Sequence, residues 1–148
     1  MKECINNELA IHNILEPGPH IVRFHELLQT KNNCYFVYEF CEGGTLHDLL
    51  RREGPLEEKR ALEIFCQLVA GLKVLRKHNI MHRDLKPENV LIKEGNFKLA
   101  DFGFCKELGS ETMTRTMLGS PLYMAPEILR GEPYSVNADI WSVGVILF

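Results

Sequence analysis

"HRDLKPENVLI", residues 82–92, sets a histidine, an arginine, a lysine, two acids, a proline and an asparagine around a short apolar run. Three readings compete for it: a working active site, a decayed copy of one, or a polar loop entering a strand. The spacing H-R-D-x-K-x-x-N gathers Asp84, Lys86 and Asn89 into one tight loop, and Pro87 stiffens it by fixing its own φ. "VLIK" (90–93) and "FKLA" (97–100) read as two short strands joined by "EGN", whose Gly-Asn pair suits a tight hairpin. Such a hairpin folds Asp101 back beside the loop. Two acids and an amide then offer hard oxygens, the ligands of Mg2+, which keeps waters and shares its shell with substrate phosphates. Lys86 adds a point charge for a phosphate. Asp84 is left to accept a proton from an incoming hydroxyl. These are the parts that phosphoryl transfer uses.

Outward from the loop, the order of patterns predicts an α+β chain with segregated elements. "NNELAIHNIL" (6–15) reads as a short amphipathic helix stopped by "PGP" (17–19). "IVRFHELL" (21–28) and "CYFVYEF" (34–40) read as strands joined by "QTKNN". "CEGG" (41–44) reads as a flexible break, followed by a helix with Thr45 as N-cap and "REGP" as its end. Residues 57–78 form the longest helical pattern, with Ala61, Ile64, Phe65, Leu68, Val69, Leu72 and Leu75 on one face. Residues 101–127 show no period, and a loop of that length is usually functional or disordered. "SVNADIWSVGVILF" reads as the start of a buried helix.

The balance of 17 basic and 20 acidic residues gives a net charge of −3. That is no footprint for nucleic acid. No run of 18 apolar residues predicts a membrane span, and "MKECINNELA" lacks the apolar centre of a signal peptide. The five cysteines match no zinc spacing, and most lie in apolar runs. They read as small buried thiols in a reducing, cytoplasmic compartment rather than a disulfide framework.

"HRDLKPEN", "DFG" (101–103) and "APE" (125–127) stand in the order and context of the eukaryotic protein kinases, and the chain resembles that family over essentially its whole length. "EFCEGGTLHDLL" and "DIWSVGVILF" resemble further segments of it. The resemblance implies a kinase-like fold, truncated. Residues 1–40 would be a partial N-lobe (helix C and two strands) with the start of the hinge, and 41–148 the helical C-lobe through the start of helix F. It implies ATP and Mg2+ as cofactors and protein Ser/Thr hydroxyls as substrate. Asp84 is similar to the aspartate that orients the substrate hydroxyl and takes its proton, and Lys86 to the lysine that steadies the transferring phosphate. Asn89 and Asp101 resemble the Mg2+ ligands. Phe102 resembles the residue whose packing marks active and inactive states. Leu91 resembles the apolar floor under adenine, Glu39 and Cys41 the hinge positions that bind it through backbone groups, and Tyr38 the gatekeeper, or else an ordinary core aromatic. Lys86 two residues after Asp84 is the serine/threonine pattern, as is "GSPLYMAPE" (119–127), with Ser120 able to bond Asp84 or Lys86. "DFGFCK" and "GSPLYMAPE" resemble the autophagy-initiating branch.

Thr116 stands four residues before Ser120, where many relatives are phosphorylated, with Ser110, Thr112 and Thr114 as alternatives. Arg83 and Lys106 are expected to clamp such a phosphate. Glu8 matches the helix-C glutamate whose partner is a lysine in "V-A-I-K", but neither that lysine nor a G-x-G-x-x-G loop occurs in these residues. Without the lysine, Glu8 can equally be an exposed acid early in a helix. Asp139 resembles a residue that braces the catalytic loop, or is a helix N-terminal acid. Glu127 lacks the later arginine with which its counterparts pair. The chain stops in an apolar segment, looks cut, and is expected to have little activity alone. Two other classes compete with a serine/threonine kinase fragment: a non-catalytic kinase-like binding or regulatory module, and a small-molecule phosphotransferase.

Overall fold

The twenty-residue helix α3 (Glu58–Lys77) is the beam on which the other elements rest. Ile64, Leu68, Leu72 and Leu75 are buried along it, with Phe65 and Val69 partly covered, as the 3.6-residue pattern predicts. The computed structural model describes residues 2–108 and 113–148, and residues 2–4 as backbone only. Met1, Ser110 and Thr112 and the side chain of Cys4 lie outside the described residues.

The chain opens with α1 (Lys2–Ile14), longer at its start than the sequence pattern shows. An antiparallel hairpin follows, β1 (Phe24–Gln29) with β2 (Cys34–Tyr38), closed by a turn in which the Thr30 amide donates to the Asn33 carbonyl. The expected strand 21–28 is shorter at its start for a physical reason. Ile21 and Val22 pair instead with the distant strand β5 (Asn96–Leu99), through Val22 N–H to the Leu99 carbonyl and Leu99 N–H to the His20 carbonyl. Glu39 and Phe40, expected to be strand, lie beyond its end.

α2 (Leu46–Glu53) begins with a complete capping box: the Asp48 amide donates to the Thr45 hydroxyl oxygen, and the Thr45 amide donates to the Asp48 carboxylate. The preceding "CEGG" is not a free break. Gly43 N–H bonds the Ile92 carbonyl and Ile92 N–H bonds the Gly44 carbonyl, so the crossing is sewn to β4 (Val90–Lys93). After α3 comes the two-residue strand β3 (Ile80–Met81), which pairs with β6 (Lys106–Glu107). β4 and β5 form the expected hairpin in the register Val90↔Leu99 to Lys93↔Asn96. Its turn residues are Glu94 and Gly95, at φ 49° and 77°, rather than Gly-Asn. Both positive angles are those of a type I′ turn, and Asn96 already belongs to the strand. Short 3-10 turns at 87–89, 102–104 and 121–123 organise the loops, and α4 (Pro126–Leu129) and α5 (Ala138–Leu147) complete the chain.

The architecture is α+β. The main core joins Ile11 of α1, Leu46 and Leu49 of α2, the α3 stripe, Val90, Leu99, Phe102 and Val143. A second cluster packs Met81, Leu108, Met124, Ile128 and Tyr134 under the segment before α5. α5 buries only one face, since Ile140, Trp141 and Leu147 remain largely exposed. The expectation of buried thiols holds for Cys105 alone of the four described cysteines, which are all free; Cys34 and Cys66 are exposed and Cys41 is half-buried. Cys34 sits at the hairpin end and Cys66 on the outer face of α3, where local apolar neighbours do not imply burial.

Gly71 lies where α3 meets the Ile21–Leu99 crossing. A Cβ there would stand 2.9 Å from the His20 carbonyl oxygen and 3.0 Å from Leu99. Alanine favours helix interiors over glycine by about 1 kcal/mol, yet here a backbone oxygen, already bonded to the Leu99 amide, would have to shift. Gly71→Ala is expected to lower stability by about 1–3 kcal/mol, read as a lower urea midpoint at unchanged slope.

Candidate active site

The β4–β5 hairpin does what the sequence requires of it. Because Val90 pairs with Leu99, Ala100 N–H bonds the Asn89 carbonyl at 2.9 Å, and Asp101 emerges beside the loop that carries Asp84 and Asn89. Asp84 is 4% exposed. Lys86 Nζ lies 2.8 Å from its Oδ2, the Ser120 hydroxyl donates to its Oδ1 at 2.8 Å, and Lys86 donates to the Ser120 oxygen at 3.0 Å. Three side chains thus close a ring. Asn89 Nδ2 adds bonds to the Asp84 carbonyl at 2.8 Å and to Oδ2 at 3.1 Å. Burial works to raise the Asp84 carboxyl, but the Lys86 ammonium and the Ser120 hydroxyl outweigh it and hold the group below the ordinary carboxylate range. Lys86 is raised in turn by its bond to Asp84.

The loop's backbone needs support. Arg83, next to Asp84, has φ 70°, the left-handed region that non-glycine residues avoid. Buried Asp139, in the first turn of α5, takes the His82 amide on Oδ2 at 2.8 Å and the Arg83 amide on Oδ1 at 3.0 Å. Both sequence readings of Asp139 therefore hold. His82, fully buried, bonds the Ala100 carbonyl through Nε2 at 2.9 Å. Gly119 approaches from the other side: at φ 111°, a Cβ there would sit 2.2 Å from the Arg83 carbonyl oxygen, so only glycine brings Ser120 this close.

Asp101 is exposed with φ 63°, and Phe102 behind it is fully buried, its ring 5.5 Å from His82 and 5.0 Å from His12. Asn89 spends Nδ2 on Asp84, which leaves its carbonyl Oδ1 for an ion. No cluster of three or more His, Cys, Asp or Glu among the described residues is arranged to hold a metal unaided. One carboxylate and one amide nevertheless fit Mg2+, whose remaining positions go to waters and phosphates.

The structure does not bring the regulatory candidates together. Arg83 Nε donates to the Phe104 carbonyl at 2.6 Å, and Lys106 Nζ donates to Thr114 at 3.2 Å. Thr116 is exposed and touches Thr114 at 3.5 Å between hydroxyls; Thr114 itself is buried. Glu8 is half-buried rather than an exposed acid, and takes the Tyr38 hydroxyl on Oε1 at 2.6 Å. Burial raises the Glu8 carboxyl; the Tyr38 bond opposes this and the charge of Asp101 adds to it. Leu91, half-buried, pairs with Thr45 in an isolated bridge.

Sequence reasoning misses Lys98. Its side chain is 9% exposed, with Nζ 2.8 Å from Glu39 Oε1 and further bonds to the Gly18 and Ile21 carbonyls. Lys93 meets Glu39 Oε2 at 2.9 Å, and the Arg23 amide meets Oε1 at 2.8 Å. The available signal is a single lysine between the apolar residues Phe97 and Leu99. Cys41 lies two residues on, its thiol raised by burial and by the charge of Glu39.

A model of the protein kinase domain matches residues 1–148. This chain belongs to the protein kinase domain family. It is similar to the serine/threonine-protein kinase ATG1a of Arabidopsis thaliana, 44% identical over all of this chain and 24% of that protein. It is 42% identical to serine/threonine-protein kinase atg1 of Dictyostelium discoideum over all of this chain and 23% of that protein. The SNF1-related protein kinase catalytic subunit alpha KIN12 of Arabidopsis thaliana is 42% identical over 88% of this chain and 26% of that protein. The kinase domain segment described above thus spans about a quarter of the length of these relatives.

Within this kinase domain the Glu39 carboxylate carries a pH signature. Burial alone would raise it, but Lys98, Lys93 and the Arg23 amide bring it down to about 2. A folded-state value below the ordinary carboxylate value means that the contribution to stability is complete above about pH 4.5 and is lost as pH falls toward 2. Glu39→Gln is expected to cost about 2–3 kcal/mol at pH 7. The gap from the unsubstituted protein should close between about pH 4.5 and 2, measured by denaturant unfolding across that range.

Proposed function

We propose that the protein is a serine/threonine protein kinase that transfers the γ-phosphate of ATP to Ser/Thr hydroxyls of proteins. The observation that carries this reading is the closed ring of Asp84, Lys86 and Ser120, with Asp84 held in its ionised form. Residues 1–40 serve as N-lobe and hinge start, and 41–148 as C-lobe.

Asp84 orients the substrate hydroxyl and takes its proton. What supports this is that Oδ1 already accepts one hydroxyl, that of Ser120, at 2.8 Å. Lys86 steadies the transferring phosphate while its second contact, to Ser120, ties the substrate-positioning segment to the same centre. Asn89 and Asp101 hold Mg2+, which when bound neutralises charge on the phosphates. Leu91 lies under the adenine, and the backbone groups of Glu39 and Cys41 bind its edge. The substrate is a protein side chain and not a nucleic acid, in keeping with the net charge of −3. Among the described residues no helix is long and apolar enough to cross a membrane. Exposed free thiols at Cys34 and Cys66 fit a reducing, cytoplasmic setting.

Thr116 is the activating phosphorylation site in this reading. It is exposed, and Lys106 reaches its neighbour Thr114. A phosphate on Thr116 would draw Lys106 and release Arg83 from the Phe104 carbonyl to pair with it.

The test is phosphate transfer from labelled ATP to peptides by the protein expressed from its complete gene. Serine and threonine peptides should be labelled and tyrosine peptides not, and Asp84→Ala should lower kcat by at least about a hundredfold. Labelling that survives Asp84→Ala would sink the reading. The 148 residues alone, which contain no G-x-G-x-x-G loop, should transfer phosphate poorly at best. Mass spectrometry of the active protein should find phosphate on Thr116; Thr116 always unmodified in active protein would overturn that assignment.

A further inference from the structure

β4 and the segment that leaves β2 run against each other and are fastened along their length. Gly43 N–H bonds the Ile92 carbonyl at 2.9 Å, Ile92 N–H bonds the Gly44 carbonyl at 2.9 Å, and Thr45 bridges Leu91. A Cβ at Gly43 would stand 2.7 Å from the Ile92 side chain, so the two backbones are in contact. The Glu94 amide donates to Glu42 Oε1 at 2.8 Å. The contact that reaches furthest back along the segment is made by a side chain: Lys93 Nζ donates to Glu39 Oε2 at 2.9 Å. Leu91 and Lys93 are two residues apart on β4 and so lie on one face of it. Leu91 is the proposed floor under adenine, and Glu39 and Cys41 are its proposed edge. Lys93 therefore joins the floor strand to the edge segment.

The Glu39 carboxylate is held from two sides. Oε1 accepts from Lys98 and from the Arg23 amide, both at 2.8 Å, while Oε2 takes Lys93. The two lysines differ in their surroundings. Lys98 is buried and also meets the Gly18 and Ile21 carbonyls, so its loss would disturb the crossing as a whole. The Lys93 side chain is 30% exposed. The Glu39 amide is spent on the Arg23 carbonyl at 2.9 Å, so it is the Glu39 carbonyl that can meet the amino group of adenine. That carbonyl has the Cys41 thiol 4.0 Å away.

We propose that Lys93 is a positioning residue for the adenine base: by holding Glu39 Oε2 to β4 it fixes the Glu39 carbonyl relative to the Leu91 floor, so the base subsite is formed before nucleotide arrives. A subsite already in its bound shape spares the ligand the cost of ordering it. This rests on the kinase reading for its place in turnover, but the bridge itself is a property of the free protein. Lys98 and the Arg23 amide keep Glu39 anchored when Lys93 is removed, so what Lys93 governs is the setting of the edge and not the fold.

Lys93→Met keeps most of the side chain and removes its charge. In the protein expressed from its complete gene the urea midpoint should be unchanged, since an exposed ion pair adds little to stability. Adenosine, which carries the base and no phosphate, should bind about tenfold more weakly by calorimetry, and the KM for ATP should rise by the same factor of about ten. The KM for a peptide substrate and inhibition by inorganic tripolyphosphate should each stay within about twofold. Lys93→Arg, which keeps a cation in reach of Glu39, should recover most of the loss. Weaker ATP with unchanged adenosine would show that Lys93 acts on the phosphates through its charge, and would overturn the proposal. So would an equal loss for adenosine, tripolyphosphate and peptide, no loss at all, no recovery with Lys93→Arg, or no binding of adenosine by the unsubstituted protein. Adenosine is titrated without peptide, so a protein that binds it and transfers no phosphate would defeat the kinase reading, while the Lys93 variants still decide this one.

Discussion

The carboxylate of Asp139 is the constraint on which the site depends. It is 5% exposed and its two oxygens take the amides of His82 and Arg83. Arg83 is held at φ 70°, a conformation that costs a non-glycine residue about 1–2 kcal/mol. Two charge-assisted bonds to backbone amides, at about 1.5–3 kcal/mol each, offset that cost. The strained residue immediately precedes Asp84, so the brace sets the direction in which the Asp84 carboxylate leaves the chain. Gly119 then meets the Arg83 carbonyl closely enough to exclude any side chain, which brings Ser120 onto Asp84. A helix start, a strained peptide and a glycine approach therefore act in series, and the ring around Asp84 is their outcome.

A second buried charge governs the crossing between the N-terminal hairpin and the remainder. Glu39 takes Lys98 from β5, Lys93 from β4 and the Arg23 amide. Lys98 also satisfies the carbonyls of Gly18 and Ile21. Burying an ion pair gains little unless its remaining donors and acceptors are met, and here both members carry additional bonds. The consequence is geometric. The segment after α1, the end of β2 and the β4–β5 hairpin converge on one carboxylate, next to the residues proposed to read adenine.

The loop at 82–89 is legible in the sequence because its groups lie within eight residues of one another, and local spacing fixes what such residues can reach. The capping box at Thr45, the α3 stripe and the return of Asp101 beside Asn89 follow from equally short-range rules. What escaped is what depends on distant elements. Lys98 looks like an exposed strand lysine until Gly18, Ile21 and Glu39 are placed around it. Glu8 takes a hydroxyl from a residue thirty positions away, and nothing local says that Tyr38 reaches it. The "CEGG" crossing has the composition of a free linker, yet its amide and carbonyl groups are spent on Ile92. Cys34 and Cys66 have apolar neighbours in sequence and solvent in space.

Phe102 shows why the two halves of the site are not independent. It is fully buried between His82, whose amide hangs from Asp139, and His12, whose ring nitrogen bonds Tyr38. Movement of α1 away from β2 would withdraw His12 and open one wall of that pocket, while the wall formed by His82 stays fixed by α5. Interiors pack without spare volume, so a phenyl ring facing such a gap gains by moving into it. Asp101 adjoins Phe102 and is already in the left-handed region, where a change of peptide orientation redirects its carboxylate. Asp101 and Phe102 are joined by one peptide, so the packing around the buried ring and the direction of the proposed metal ligand are linked through the backbone.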